Sequence, residues 1–242
     1  TEGAQMNEGA VSARLGLAGW PAVAEESIIA RDALLAEQTG ARLHICHLTT
    51  AGAVDVVRWA KKRGIQITAE VTPHHLMLTE ELVRGYDPIY KVNPPLRSKE
   101  DTLALRAAVL DGTIDILGTD HAPHSIEKKD CEWEAAAFGM VALEHAASVL
   151  QEVVLGGGGD WGLFAKLISS KPAEIARLSG QGELAIGKPA NLALIDPSAK
   201  RVIESTTFSK STNNPFAGVE LPGRVVHTIY RGEFTVRDGV VR

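Results

Sequence analysis

Gly118-Thr119-Asp120-His121-Ala122-Pro123-His124 places a carboxylate, two imidazoles and a proline at the end of the segment Ile114 to Gly118, which reads as a buried strand. An Asp at such a strand end can hold a metal through one carboxylate oxygen and take a proton through the other. Zinc lowers the pKa of its water to about 7, within reach of a carboxylate base. Asp120 alone would read better as a turn cap; two histidines and a proline beside it reverse that preference in favour of a metal-binding and catalytic role. A second cluster is His44-Ile45-Cys46-His47. Side chains alternate along a strand, so regular β geometry forbids His44 and His47 from facing one site. His47, last in the run, is the candidate ligand. His44 reads as a hydrogen-bonded core or interface histidine and Cys46 as buried packing. Thr72-Pro73-His74-His75 is ambiguous: the paired histidines suit a metal, a phosphate or a partner, but shaping the loop is the simpler role. Lys91-Val92-Asn93-Pro94-Pro95-Leu96-Arg97 has two prolines to stiffen a loop and to hold the Asn93 amide towards a polar ring.

These residues need strands to present them. Trp20 to Gln38 reads as an amphipathic helix with Pro21 in its first turn and Gly40 as its stop. Arg42 to Leu48 reads as a buried strand, and Ala51 to Lys62 as a helix capped by Thr49 and Thr50. Ile65 to Val71 is a second strand, followed by a long proline-bearing loop. Ser98 caps a helix through Leu110, and Ile114 to Gly118 is a third buried strand. Strand and helix alternate, which predicts an α/β fold with a parallel sheet or barrel. In such folds chemistry collects where strands give way to loops at their C-terminal ends, and His47, the Thr72 to His75 segment and the Asp120 to His124 segment all lie there. After residue 140 helical patterns cover Val141 to Val154, Trp161 to Ile168 and Pro172 to Leu178. From Gly187 short β segments follow: Asn191 to Ile195, Arg201 to Glu204, Val225 to Tyr230 and Glu233 to Val236. Turns are expected at Asp196-Pro197, Arg231-Gly232 and Asp238-Gly239. The expected division is 1–186 and 187–242, the second a small β appendage.

The 242 residues suffice for one large or two small domains. A net charge of -5 lacks the basic footprint of a nucleic-acid binder. Cys46 and Cys131 have no CxxC spacing and suit a reducing cytosol, so the expected location is cytoplasmic. No run approaches the roughly 18 apolar residues of a membrane span, and no leader pattern marks secretion. The first residue is Thr1 and not Met, which suggests a start within a longer gene.

Taken together, the phrases MNEGAVSARLGLAGWPAVAEE, HICHLTTAGAV, ITAEVTPHHLMLTEE, YKVNPPLRSKED, DGTIDILGTDHAPH, GKPANLALIDP and ELPGRVVHTIYRGE resemble the dihydroorotases of the amidohydrolase superfamily, the single-domain bacterial type in particular. VTPHH, NPPLR and TDHAPH in this order form a specific set, and the resemblance runs along essentially the whole chain. It implies a (β/α)8 TIM barrel, of which this chain would hold about strands 6 to 8 with their helices, plus a small C-terminal β segment. It implies reversible interconversion of N-carbamoyl-L-aspartate and L-dihydroorotate, a step of pyrimidine synthesis, with one or two Zn2+ ions in the complete enzyme. By resemblance His47 matches the strand-six metal ligand and Asp120 the strand-eight ligand and general acid/base. Asn93 and His124 match residues that contact the substrate ring and carboxylate, and Phe138-Gly139 a loop whose backbone contacts the ring.

The family's HxH pair, its neighbouring substrate-binding Arg, its strand-four ligand and its strand-five His have no counterpart here. The last would lie just before Thr1. Ala137 and Ala142 stand where the family usually has Pro and Gly. A homodimer and association with aspartate transcarbamoylase are the expected protein partners. Two rival readings are an inactive homologue serving as a structural partner of that transcarbamoylase, and another cyclic amidase of the hydantoinase or allantoinase type. The chain alone is expected to be inactive.

Overall fold

The structure is a computed structural model and describes residues 3–205 and 208–242; Thr1, and with it the expected internal start, lies outside the described residues. The architecture is α/β. Strands β1 (Met6–Asn7) and β2 (Gly19–Trp20) flank helix α1 (Ala10–Leu15) and pair in parallel. Helix α2 (Ala22–Thr39) follows, with Pro21 before its first turn and Gly40 closing it at φ 68°. Then β3 (Leu43–Ile45), α3 (Ala51–Lys62), β4 (Ile67–Val71), α4 (Pro73–Met77), α5 (Lys99–Leu110) and β5 (Ile116–Leu117) build a three-stranded parallel sheet in the order β3-β4-β5. The helix starts follow the capping chemistry in the sequence: Thr50 Oγ1 accepts from Ala53 N at 3.0 Å. Ser98 and Asp101 form a reciprocal capping box.

In this sheet the expected strands Arg42 to Leu48, Ile65 to Val71 and Ile114 to Gly118 shorten to β3, β4 and β5, although Leu48 N and Gly118 N still donate to Glu70 O and Val71 O at 2.9 and 3.0 Å. The stretch expected as a long loop after β4 holds α4 and two 3-10 turns, Glu80–Gly85 and Pro88–Tyr90. Strands β1 and β2 were not anticipated, since two residues are too few to show a period.

Register sorts the sheet into two faces. Leu43 pairs with Ile67 and Ile45 with Ala69; these residues join Val71 in the apolar core beneath α2, α3 and α5, packed with Ala33, Val54, Val57 and Leu105. His44 pairs with Thr68, and Glu70 follows two residues on along the same face. The apolar face is covered by helices and the polar face carries His44, Thr68 and Glu70.

The remaining helices are α6 (Ile126–Lys129), α7 (Ala146–Gly156), α8 (Trp161–Ala165) and α9 (Lys171–Ile175), with a π-helical turn over Lys166–Ser170 between the last two. The β segments assemble as an antiparallel sheet of β6 (Leu192–Val202), β7 (Glu220–Tyr230), β8 (Glu233–Arg237) and β9 (Val240–Val241). The turn expected at Asp196-Pro197 does not end a strand. It forms a register shift between Asp196 and Lys200 inside β6, where a proline needs no ladder partner. Arg231-Gly232 and Asp238-Gly239 do turn the chain, all four residues having positive φ. This sheet meets α7 through Ser148 Oγ to Gly223 O at 3.2 Å and Gln151 Nε2 to Pro197 O at 3.0 Å. Among the described residues no helix is long and apolar enough to cross a membrane.

Candidate metal and substrate site

His47 and Asp120 stand just beyond the C-terminal ends of β3 and β5, and Nε2 of His47 lies 3.7 Å from Oδ1 of Asp120. Both have left-handed backbones, at φ 57° and φ 44°. A non-glycine residue in that region is held there at a cost, and such positions cluster at functional sites. The twist at His47 also corrects the alternation argument. The strand ends at Ile45, so His47 no longer obeys its period and swings onto the face that His44 occupies.

The two histidines meet at a carboxylate that the motif reading missed. Glu70 Oε2 lies 3.2 Å from His44 Nε2, and Glu70 Oε1 lies 2.9 Å from His47 Nδ1. The latter contact is close but off the line of a hydrogen bond. His44 Nδ1 is 2.8 Å from Thr68 Oγ1, so the expectation of a hydrogen-bonded His44 holds. Glu70 was visible in principle as the one charge within the strand Ile67–Val71. Cys46 is exposed and not buried packing, because it follows His44 by two residues on the polar face.

Burial alone would raise the Glu70 carboxyl, but the two imidazoles hold it down at about 2. In return the Glu70 carboxylate raises His47 above its ordinary value, and Asp120 adds to this against the effect of burial. Burial raises Asp120, with Glu70's charge adding to it and His47 opposing. Burial, then Glu70 and Asp120, raise the Cys46 thiol.

The donors fit zinc. Two ligands of a tetrahedral zinc at 2.0–2.2 Å lie about 3.4 Å apart, close to the observed 3.7 Å. One imidazole nitrogen and one carboxylate oxygen are ordinary zinc donors. His44, Cys46 and Glu70 also bring donor atoms within 4.8 Å of one another. That set is the poorer one, because both nitrogens of His44 are already engaged.

The expected substrate residues gather along two loops. His124 Nε2 donates to Phe138 O at 2.8 Å, and the backbone of His121 bridges to Met140. Gly139 has φ 141°, and a Cβ there would come within 2.6 Å of Ala122 Cβ and 2.7 Å of His124 Nε2. Only glycine fits this approach. The loop is held from behind by two buried lysines that the motif reading also missed. Lys129 Nζ donates to the carbonyls of Lys91, Ala137 and Gly139 at 3.2, 2.9 and 3.0 Å. Lys91 Nζ donates to Trp133 O and Glu134 O at 2.7 and 3.0 Å. Burial, with Lys91 nearby, lowers Lys129 to about 8.

Asn93 is exposed, at the head of a loop held by His75. The ring of His75 donates from Nε2 to Pro94 O at 3.0 Å and its Nδ1 takes the Thr72 hydroxyl at 2.7 Å. Burial keeps His75 neutral, with a pKa near 3, so its role is shaping the loop. His74 is wholly buried, and neither ring nitrogen has a hydrogen-bond partner among the described residues.

A sequence profile of the amidohydrolase family matches residues 13–235. The chain is 62% identical over 242 residues to a dihydroorotase of Streptomyces coelicolor, covering 99% of this chain and 56% of that protein. It is 51% identical over 245 residues to a dihydroorotase of Mycobacterium tuberculosis, covering 100% and 57%. Among solved structures it superposes on a D-hydantoinase (dihydropyrimidinase) from Thermus sp. with TM-score 0.85 at 29% identity, covering 97% of this chain and 52% of that one. An L-hydantoinase (dihydropyrimidinase) from Arthrobacter aurescens gives TM-score 0.84 at 27% identity, covering 90% and 49%. The chain spans about half the length of the curated relatives it matches. With the profile match running across most of its residues, the chain belongs to the amidohydrolase family.

Proposed function

We propose that this chain is the C-terminal part of a zinc-dependent dihydroorotase. In this reading residues 1–186 supply about strands 6 to 8 of a (β/α)8 barrel, β3, β4 and β5 being those strands, and residues 187–242 form the β appendage. The observation that carries the reading is the His47–Asp120 pair, 3.7 Å apart beyond two parallel strands, in a chain 62% identical to a dihydroorotase.

His47 Nε2 and Asp120 Oδ1 would hold the ion, which supplies Lewis acidity at the scissile ring carbonyl when bound. The second oxygen of Asp120 accepts a proton from the attacking water and returns it to the departing ring nitrogen. Burial raises its pKa from the ordinary carboxylate value, the direction a general acid/base needs. Asn93, His124 and the Phe138-Gly139 backbone orient the ring and the single carboxylate of the cyclic substrate, so that little freedom is lost at the moment of reaction. A cytoplasmic homodimer, with or without aspartate transcarbamoylase, belongs to the same reading.

A second reading is supported by the superposition on hydantoinases: hydrolysis of a related cyclic amide. The inactive-partner reading is disfavoured by the presence of both His47 and Asp120. The test is an assay of the full-length protein on L-dihydroorotate, hydantoin and dihydrouracil. Turnover of dihydroorotate at least ~100-fold above the others is expected. Preference for hydantoin or dihydrouracil would replace the reading, and inactivity on all three would favour the structural-partner role.

A further inference from the structure

Glu70 is a buried carboxylate that the reaction above does not use. Among the described residues its charged-group contacts are two imidazoles, with no Lys or Arg. A buried charge without a permanent counter-ion is costly to keep, and its two oxygens are spent in different directions. Oε2 is tethered by His44, which Thr68 anchors in turn at 2.8 Å. Oε1 lies against Nδ1 of His47 at 2.9 Å. The far nitrogen of the same ring, Nε2, is the one that lies near Asp120. The space for this arrangement is provided by Gly118, two residues before Asp120. A Cβ there would come within 2.4 Å of Glu70 Cδ and 2.5 Å of both carboxylate oxygens.

We propose that Glu70 is the positioning residue for His47, fixing Nδ1 as the protonated nitrogen and leaving the Nε2 lone pair aimed at the metal position beside Asp120. A metal-binding imidazole commonly donates its other N–H to a carboxylate, which sets both tautomer and ring orientation, and loss of that partner typically weakens metal binding 10–100-fold. The Glu70–His47 contact is close but off the line of a hydrogen bond, and the Thr68–His44–Glu70–His47 chain has the required order. His44 then tethers the positioning carboxylate and binds no metal itself. The inference rests on the metal-dependent reading of the site and is independent of which cyclic amide is the substrate.

The experiment compares the full-length protein with its Glu70→Gln and Gly118→Ala variants. Zinc dissociation constants are measured by competition with a chromophoric chelator, and circular dichroism checks the fold. Nitrogen-15 spectra of histidine-labelled, zinc-loaded protein report the His47 tautomer. Glu70→Gln is expected to weaken zinc binding 10–100-fold, with zinc still binding to the same stoichiometry at saturation, and to lose the uniform Nδ1-protonated form. Gly118→Ala keeps the carboxylate but crowds it off His47, and is expected to move in the same direction. A folded Glu70→Gln protein with a zinc constant within twofold of the parent overturns the inference. So does outright loss of a bound zinc at saturation, which would make Glu70 a ligand. If Glu70→Gln does not fold, an unchanged constant in Gly118→Ala overturns it. Weakened zinc in the variants with no parental turnover of dihydroorotate would leave this inference standing and remove the substrate assignment; the reverse pattern would do the opposite.

Discussion

Nε2 of His47 and Oδ1 of Asp120 meet at 3.7 Å although they follow β3 and β5, strands that do not pair with each other but flank β4. Both residues leave regular β geometry for the left-handed region. Without that departure at His47, strand alternation would carry its ring to the helix-covered face. The backbone twist therefore builds the pair, and its cost is sustained by the packed sheet beneath.

Asp120→Asn tests the general acid/base role. The amide keeps the size of the side chain and one oxygen donor but cannot take the proton. In the full-length enzyme turnover should fall by at least ~10², with the circular dichroism spectrum unchanged. A variant that turns over dihydroorotate at near-normal rate would sink the assignment.

His47→Ala and His44→Ala should separate. The first removes a candidate ligand and should lower bound zinc. The second leaves the Thr68 hydroxyl and one Glu70 oxygen short of a partner, which costs about 1–3 kcal/mol, and should lower the urea midpoint more than the zinc content. Equal zinc loss in the two variants, measured by atomic absorption, would contradict the division of labour.

The parts of this site that were legible in the sequence are those where residue type alone carries information. Asp120 and His47 stand at the ends of apolar runs, and Ser98 and Thr50 announce the helices that follow. What was not legible is geometry set by a single backbone torsion. Alternation assigned His44 and His47 to opposite faces, and the positive φ of His47 reversed that. Cys46, expected as buried packing, is instead exposed on the polar face that His44 occupies. Glu70 hid inside a strand whose neighbours are apolar, where a charge draws notice only once its partners on β3 are known. Lys91 and Lys129 look like surface residues in sequence; the carbonyls they collect come from a loop whose path no local pattern dictates.

His145 should make stability fall in mild acid. It is 2% exposed, with neither ring nitrogen hydrogen-bonded among the described residues. Burial, and then Arg201 nearby, lower its pKa from 6.5 to about 4. The unfolded state therefore binds more protons between these values, so stability is fully present above pH 6.5 and is lost as pH falls towards 4. From pH 7 to pH 5 the loss from this residue is about 2 kcal/mol. His145→Leu should flatten the dependence of the urea midpoint on pH over that interval by about this amount. A variant with the parental slope would show that His145 is not the group being protonated.

Arg97 should be among the costliest single losses. It is 2% exposed and donates to Asn7 Oδ1 at 2.8 Å, Trp20 O at 2.6 Å and Thr49 Oγ1 at 3.0 Å. It also lies 3.4 Å from Glu25. One guanidinium thus ties the segment of β1 and β2, helix α2 and the loop after β3 to the NPPLR turn. Arg97→Met keeps the bulk but strands Glu25 without its cation, and should cost about 3–5 kcal/mol. A urea-derived loss below 1 kcal/mol would mean that the network is dispensable.

Residues 1–242 expressed alone should not hydrolyse dihydroorotate. Among the described residues the sheet β3-β4-β5 leaves β3 and β5 each paired on one side only, and unpaired edges of this kind invite association. Its polar face, which in the proposed barrel looks inward, leaves His47 and Asp120 with 29% and 26% of their side-chain surface exposed. These two side chains fall short of the three protein ligands a catalytic zinc normally has. The poorer His44–Cys46–Glu70 set cannot substitute while His44 is engaged on both sides. Purified residues 1–242 should therefore hold well under one equivalent of zinc after dialysis and show no turnover above background, while the full-length protein, assayed in parallel, shows both. Stoichiometric zinc with full-length rates in residues 1–242 would mean that the metal site is complete within this chain, and that the placement of His47 and Asp120 on strands six and eight of a larger barrel is wrong.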